Sequence, residues 1–137
     1  MTTPITGGCL CGAIRYAISA PVAGLRACHC THCQKTSGTG SSVNAVILSK
    51  DFALTQGTPK RYTDKADSGR LLQRFFCGNC GSPVYSQRDN MPERMVVRAG
   101  SLDDSSAMTI TTHIWTRSAR PWSHIEAGTE QLPGNPA

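Results

Sequence analysis

Apolar and polar positions alternate in short runs along the 137 residues. Ile14, Tyr16 and Ile18 alternate with Arg15, Ala17 and Ser19 over residues 13–19, the period of a strand with one buried face. SVNAVILS (42–49), FALTQ (52–56) and KRYT (60–63) predict further short strands, separated by KD and GTP turns. RLLQRFFC (70–77) runs into a cysteine pair and SPVYSQ (82–87) leads away from it. Residues 93–100 and 108–116 add two more strands, the second rich in β-branched residues. Helix is scarce: 31–38 (THCQKTSG) fits one, and Asp and Ser in 101–107 favour a turn. Residues 128–137 are polar and broken by Pro and Gly, so a mobile tail is expected after a single mainly β domain over 1–127.

With 39% apolar and 6% aromatic residues the core is lean and needs staples, and seven cysteines are available. The odd count would leave one thiol outside any full disulfide framework. The N-terminal residues show neither a basic start nor an apolar signal segment, and the longest apolar runs, such as 45–48, are far too short to span a membrane. These features predict a reducing, cytoplasmic setting with thiolate–metal sites and no membrane partner. The formal charge of +5 counts the thiols as neutral; seven thiolates and two Zn²⁺ would leave +2. Lysines and arginines are scattered rather than gathered in a run, which argues against nucleic acid as the partner.

The cysteines sort by their neighbours. GGCLCG (7–12) and FCGNCG (76–81) each place glycine after the second cysteine, where the chain can turn back and aim N–H groups at sulfur. Together Cys9, Cys11, Cys77 and Cys80 would make a closed structural zinc site joining distant parts of the chain. ACHCTHCQKTSG (27–38) differs, because Cys33 leads into a helix with no glycine turn. Cys28 and Cys30 are too close to bridge without strain. Cys28, Cys30 and Cys33 would supply three ligands and leave a fourth position. Either that position is open, as at a catalytic zinc, or His29, His32 or His113 closes it. His29, between two ligands in an extended segment, would point away from the metal.

The order CxC, CHCxxC with a following Lys and Gly, then CxxCG, resembles the glutathione-dependent formaldehyde-activating enzyme (GFA)/CENP-V family. VRAGSLDD (97–104) and HIWTRSARPW (113–122) also resemble its later signatures, and the likeness extends to about residue 126. The resemblance implies a β-tent, two sheets of short antiparallel strands with few short helices, stapled by a structural zinc on Cys9, Cys11, Cys77 and Cys80. It further implies a catalytic zinc on Cys28, Cys30 and Cys33, two Zn²⁺ per chain, and no ligand role for His29, His32 or His113.

A zinc held by three thiolates carries net negative charge and is a poor Lewis acid, so activating a soft thiol suits it better than making hydroxide. The family's reaction would join glutathione to formaldehyde as S-(hydroxymethyl)glutathione, carbon–sulfur lyase chemistry in reverse. Accumulating negative charge calls for a nearby cation. Lys35, close behind Cys33, is the preferred candidate, with Thr36 or Ser37 as hydrogen-bond donors and Arg98, Arg117 and Arg120 as carboxylate clamps. Trp115 and Trp122 are expected in the core or a pocket wall. The expected partner is a small thiol such as glutathione or its adduct, with a homodimer left open. The competing readings are a zinc-stabilised module binding nucleic acid or protein, and a redox-responsive thiol cluster.

Overall fold

The computed structural model describes residues 3–136. Its strands in chain order are β1 (Ile5–Gly8), β2 (Arg15–Ile18), β3 (Gly24–Cys28), β4 (Ser42–Leu48), β5 (Phe52–Gln56), β6 (Lys60–Lys65), β7 (Leu71–Phe76), β8 (Pro83–Arg88), β9 (Arg94–Arg98), β10 (Thr109–Ile114) and β11 (Glu130–Gln131); α1 (Thr31–Ser37) is the α-helix among the described residues. The fold is mainly β, in two sheets, as the sequence predicts. One sheet runs β1-β2-β5 and the other β11-β10-β3-β4-β9-β8-β7-β6. No helix among the described residues is long and apolar enough to cross a membrane.

Alternation along each strand assigns the faces of the large sheet. Ala45 pairs with Val97 and Ile47 with Met95 across β4 and β9, Tyr85 pairs with Val97, and Phe75 with Tyr85. These residues turn toward the small sheet, whose Tyr16 and Ile18 are buried. Tyr16, Phe52, Tyr85 and Phe75 form a chain of aromatic contacts with centroids 5.2, 4.9 and 4.5 Å apart, linking β2 and β5 to β8 and β7. Four aromatic residues thus span the gap between the sheets in one continuous run of ring contacts.

The opposite face of the large sheet carries Arg26, Asn44 and Arg98 in one cross-strand row, with Cys28 opposite Ser42 beside it. Farther along, Arg74 pairs with Ser86, Ser86 with Val96, and Leu72 with Arg88. Side chains two residues apart on a strand share a face, so Arg26 and Cys28 look the same way. One face builds the core and the other presents cysteine and arginine.

Three features depart from the sequence reading. β1 (ITGG) and β3 (GLRAC) form where the sequence predicts no strand, because their Gly, Ala and Arg have little strand propensity. The sheet is not wholly antiparallel, because β10 pairs parallel with both β3 and β11. In the expected tail, of which residue 137 lies outside the described residues, β11 pairs with Thr112 and His113, and the Leu132 N–H donates to the His113 carbonyl at 2.9 Å.

Candidate metal centres and cavity

Cys9 and Cys11 leave the end of β1, while Cys77 and Cys80 lie in the turn between β7 and β8. Gly12 and Gly81 adopt left-handed φ values of 81° and 79°. Their N–H groups donate to the carbonyls of Cys9 (3.2 Å) and Cys77 (2.9 Å), closing one turn three residues long and one four residues long. Within these turns the Ile14 N–H reaches Cys9 Sγ at 3.2 Å and the Asn79 N–H reaches Cys77 Sγ at 3.4 Å. Asn79 Nδ2 donates to Cys11 Sγ at 3.3 Å and Ser82 Oγ lies 3.2 Å from Cys80 Sγ. Hydrogen bonds from Ser82, first its hydroxyl and then its N–H, lower the Cys80 thiol to about 5. Thiols that favour the thiolate are ready metal ligands.

The four sulfurs lie within 4.8 Å of one another. Cys9 to Cys11 and Cys11 to Cys77 are each 3.7 Å, against about 3.8 Å for sulfurs in a tetrahedron with 2.3 Å zinc–sulfur bonds. The spacing and the N–H donors fit a four-thiolate metal. Such a centre would tie the small sheet to the β7–β8 hairpin.

The second cluster is assembled by the end of β3 and the start of α1. Cys28 is the last residue of the strand, Cys30 caps the helix, and the Cys33 N–H donates to Cys30 Sγ at 3.3 Å. The three sulfurs lie within 4.8 Å of one another, and among the described residues no histidine nitrogen, carboxylate oxygen or further thiol completes the group. Hydrogen bonds from Cys28 and Cys30 hold the Cys33 thiol far below its ordinary range, and sharing protons with Cys30 and Cys33 pushes Cys28 up. A soft three-sulfur donor set with partial thiolate character also fits zinc.

The histidines are occupied elsewhere. His29 turns away from the sulfurs, and its Nε2 lies 2.8 Å from His113 Nδ1 with both rings buried. His32 Nδ1 lies 2.9 Å from Asp64, which also accepts from Arg74 Nε at 2.9 Å.

Cys28, Cys30 and Cys33 open onto a cavity of about 280 Å³ over the polar face of the large sheet. Arg26, Arg70, Arg74, Arg88 and Arg98 line it, opposed by Asp64 and Asp67. Of the expected cations only Arg98 is present. Its guanidinium donates to Asn44 Oδ1 (3.4 Å) and Thr36 Oγ1 (3.0 Å), and burial draws its pKa down against the pull of the Cys33 sulfur. Lys35 is exposed and lies outside the cavity, because α1 presents Cys33 inward and the next two positions point to other sides of the helix. Arg117 stacks over Trp115 at 4.7 Å and Arg120 Nε donates to Gln34 Oε1 at 2.8 Å, so neither lines the cavity. Ser37 donates to the Cys33 carbonyl at 2.6 Å, a backbone role. Trp115 is in the wall, whereas Trp122 is 70% exposed and packs in no core. Sequence reasoning missed Arg26, Arg70, Arg74 and Arg88. Strand parity relative to Cys28 would have found Arg26; the others need the strand order.

The sequence model of the family described as glutathione-dependent formaldehyde-activating enzyme matches residues 4–118. Among solved structures, the crystal structure of a Rhodobacter sphaeroides protein is similar, with a TM-score of 0.59 and 20% sequence identity over 93% of this chain and 98% of that one. That likeness concerns the fold.

Proposed function

The chain belongs to the glutathione-dependent formaldehyde-activating enzyme family, and from that premise we propose that it joins a small thiol to formaldehyde, or parts them again, at Cys28, Cys30 and Cys33. The carrying observation is that three convergent sulfurs face a cavity with no fourth side-chain ligand among the described residues. A zinc bound there would supply one thing, a lowered pKa for a thiol entering the remaining position. The sulfur electron pair then forms the C–S bond to the carbonyl carbon, the C=O π pair moves to oxygen, and oxygen takes a proton from water. The thiol's own proton has gone to solvent, so thiol plus aldehyde gives the S-hydroxymethyl adduct in balance.

The chain's residues orient and neutralise. Cys33 is fixed by α1 and Cys28 by the strand ladder, so the sulfurs are preorganised by backbone. Arg98 beside Cys33 takes the charge-offsetting role that the sequence pointed to in Lys35. Asp64 holds Arg74 and His32 at the cavity wall. The test measures metal content and adduct exchange on one sample, by magnetisation transfer between glutathione and S-(hydroxymethyl)glutathione. Exchange faster than the spontaneous rate, lost in Cys33→Ser with the other metal retained, is expected. A protein with both metals and no acceleration would defeat the proposal.

A further inference from the structure

The arginine face has more positive charge than the cysteine site needs. Of the five guanidiniums lining the cavity, Arg74 alone is ion-paired among the described residues, with Asp64. Among the described residues, Arg26, Arg70, Arg88 and Arg98 have no carboxylate within ion-pair distance. Burial draws Arg88 below the usual guanidinium range, and the charges of Arg70 and Arg26 press the same way. Arg26 Nε is buried with no hydrogen-bond partner among the described residues, a donor that a ligand could satisfy.

The face also continues beyond the cysteines. A second cavity of about 100 Å³ shares Arg26, Arg88 and Val96 with the first and adds Arg94. Arg26 and Arg88 therefore stand where the two cavities meet. Arg26 is two residues before Cys28 on β3, about 7 Å along the strand, so one small molecule can touch both. Among the described residues, the carboxylate lining the first cavity outside the Arg74 pair is Asp67, in the exposed β6–β7 turn, and none lines the second. An ammonium group placed over Arg26 and Arg88 would face two guanidiniums that, among the described residues, have no carboxylate partner to share with it.

We propose that Arg26 and Arg88 bind a dianionic group of the substrate, so that the preferred thiol concentrates two carboxylates at one end and carries no ammonium there. This rests on the reading of Cys28, Cys30 and Cys33 as the thiol site. Each guanidinium offers a planar fork to a carboxylate, a match that neither a neutral nor a zwitterionic group makes as well. Glutathione, whose two carboxylates lie at opposite ends with an ammonium beside one, uses the face only in part.

Calorimetric titration of the zinc-loaded full chain with mercaptosuccinate, glutathione, 2-mercaptoethanol and cysteamine tests the proposal, with succinate as a sulfur-free probe. Mercaptosuccinate should bind about tenfold tighter than 2-mercaptoethanol or better, glutathione should fall between them, and cysteamine should be weakest. Arg26→Gln and Arg88→Gln should each erase most of the ratio between mercaptosuccinate and 2-mercaptoethanol, while Lys50→Gln, a charge removed from the exposed surface, preserves it. Thiols of equal affinity, or glutathione binding tighter than mercaptosuccinate, would overturn the proposal and leave the thiol site standing. Succinate bound in an Arg26-dependent way without any thiol binding would support the anion face and overturn the thiol site. If neither succinate nor any thiol binds, both fall.

Discussion

His29 Nε2 and His113 Nδ1 lie 2.8 Å apart in the interior, one ring donating and the other accepting. The contact bridges the cysteine segment after β3 to β10, and it requires that His113 stay neutral if it is the acceptor. Burial holds His113 below the ordinary imidazole range. The folded pKa is thus lower than the unfolded one, and the unfolded chain takes up more protons as pH falls. Stability from this group is complete above pH of about 6.5 and is lost as pH drops through that value toward the folded pKa.

The first prediction concerns this pair. His113→Gln should cost about 1–3 kcal/mol at pH 7.5, since His29 loses its partner in the interior. It should also flatten the fall of Tm between pH 7 and 5.5 relative to the parent. Equal slopes in parent and variant would show that the pair does not titrate on unfolding.

The two metals should leave at different rates. A centre with four thiolates and several N–H donors should outlast one with three sulfurs facing a cavity. Stepwise chelation with metal analysis should give two phases. Cys80→Ser should lower Tm by about 10 °C or more, because a metal held between the sheets would contribute folding free energy directly. Cys33→Ser should lower it less and abolish thiol binding. Equal melting losses in the two variants would refute this division.

Why some of this was legible in the sequence follows from range. Gly12 and Gly81 are local signals: a glycine after the second cysteine of each pair groups Cys9, Cys11, Cys77 and Cys80 from sequence alone, and both glycines adopt left-handed φ in the fold. Ile14, Tyr16 and Ile18 show the strand period within seven residues. The arginine face is different in kind. Arg26, Arg88 and Arg98 belong to three strands, and they meet only because β4 and β9 lie between β3 and β8. Closeness along the chain points to Lys35, but a short helix turns it outward while a distant strand brings Arg98 to Cys33. β11 was hidden because two residues between Gly and Pro have no period to read.

The charge beside Cys33 should come from Arg98 rather than Lys35. Arg98→Ala should slow adduct exchange about tenfold or more, as expected when a buried, charge-assisted contact is removed, whereas Lys35→Ala should change it less than about twofold. Arg98→Lys should recover part of the rate, because charge is restored without the fork that reaches Asn44 and Thr36. Comparable losses at both positions would return Lys35 to the site.

The C-terminal segment should matter to the cysteine cavity. The Trp115 N–H donates to the Gly134 carbonyl at 3.2 Å, Trp115 Nε1 donates to Asn135 Oδ1 at 2.7 Å, and Leu132 packs against the cluster of Cys28, Cys33 and Ile114. Trp115 and Asn135 both line the cavity, so the segment braces its wall from the β11 edge of the sheet. Ending the chain after residue 127 removes β11, these bonds and the Leu132 contact together, and should lower stability by about 2–4 kcal/mol. Thiol affinity should fall as well, because the Trp115 ring at the wall loses its Asn135 partner and its backbone loses Gly134, leaving the Arg117 stacking alone. Leu132→Ala separates packing from pairing, since the backbone bonds to His113 and Thr116 survive it; an intermediate loss of stability, about 1–2 kcal/mol, is expected. A truncated chain that melts with the parent and binds thiol equally well would show that residues 128–137 are the dispensable tail their composition suggests.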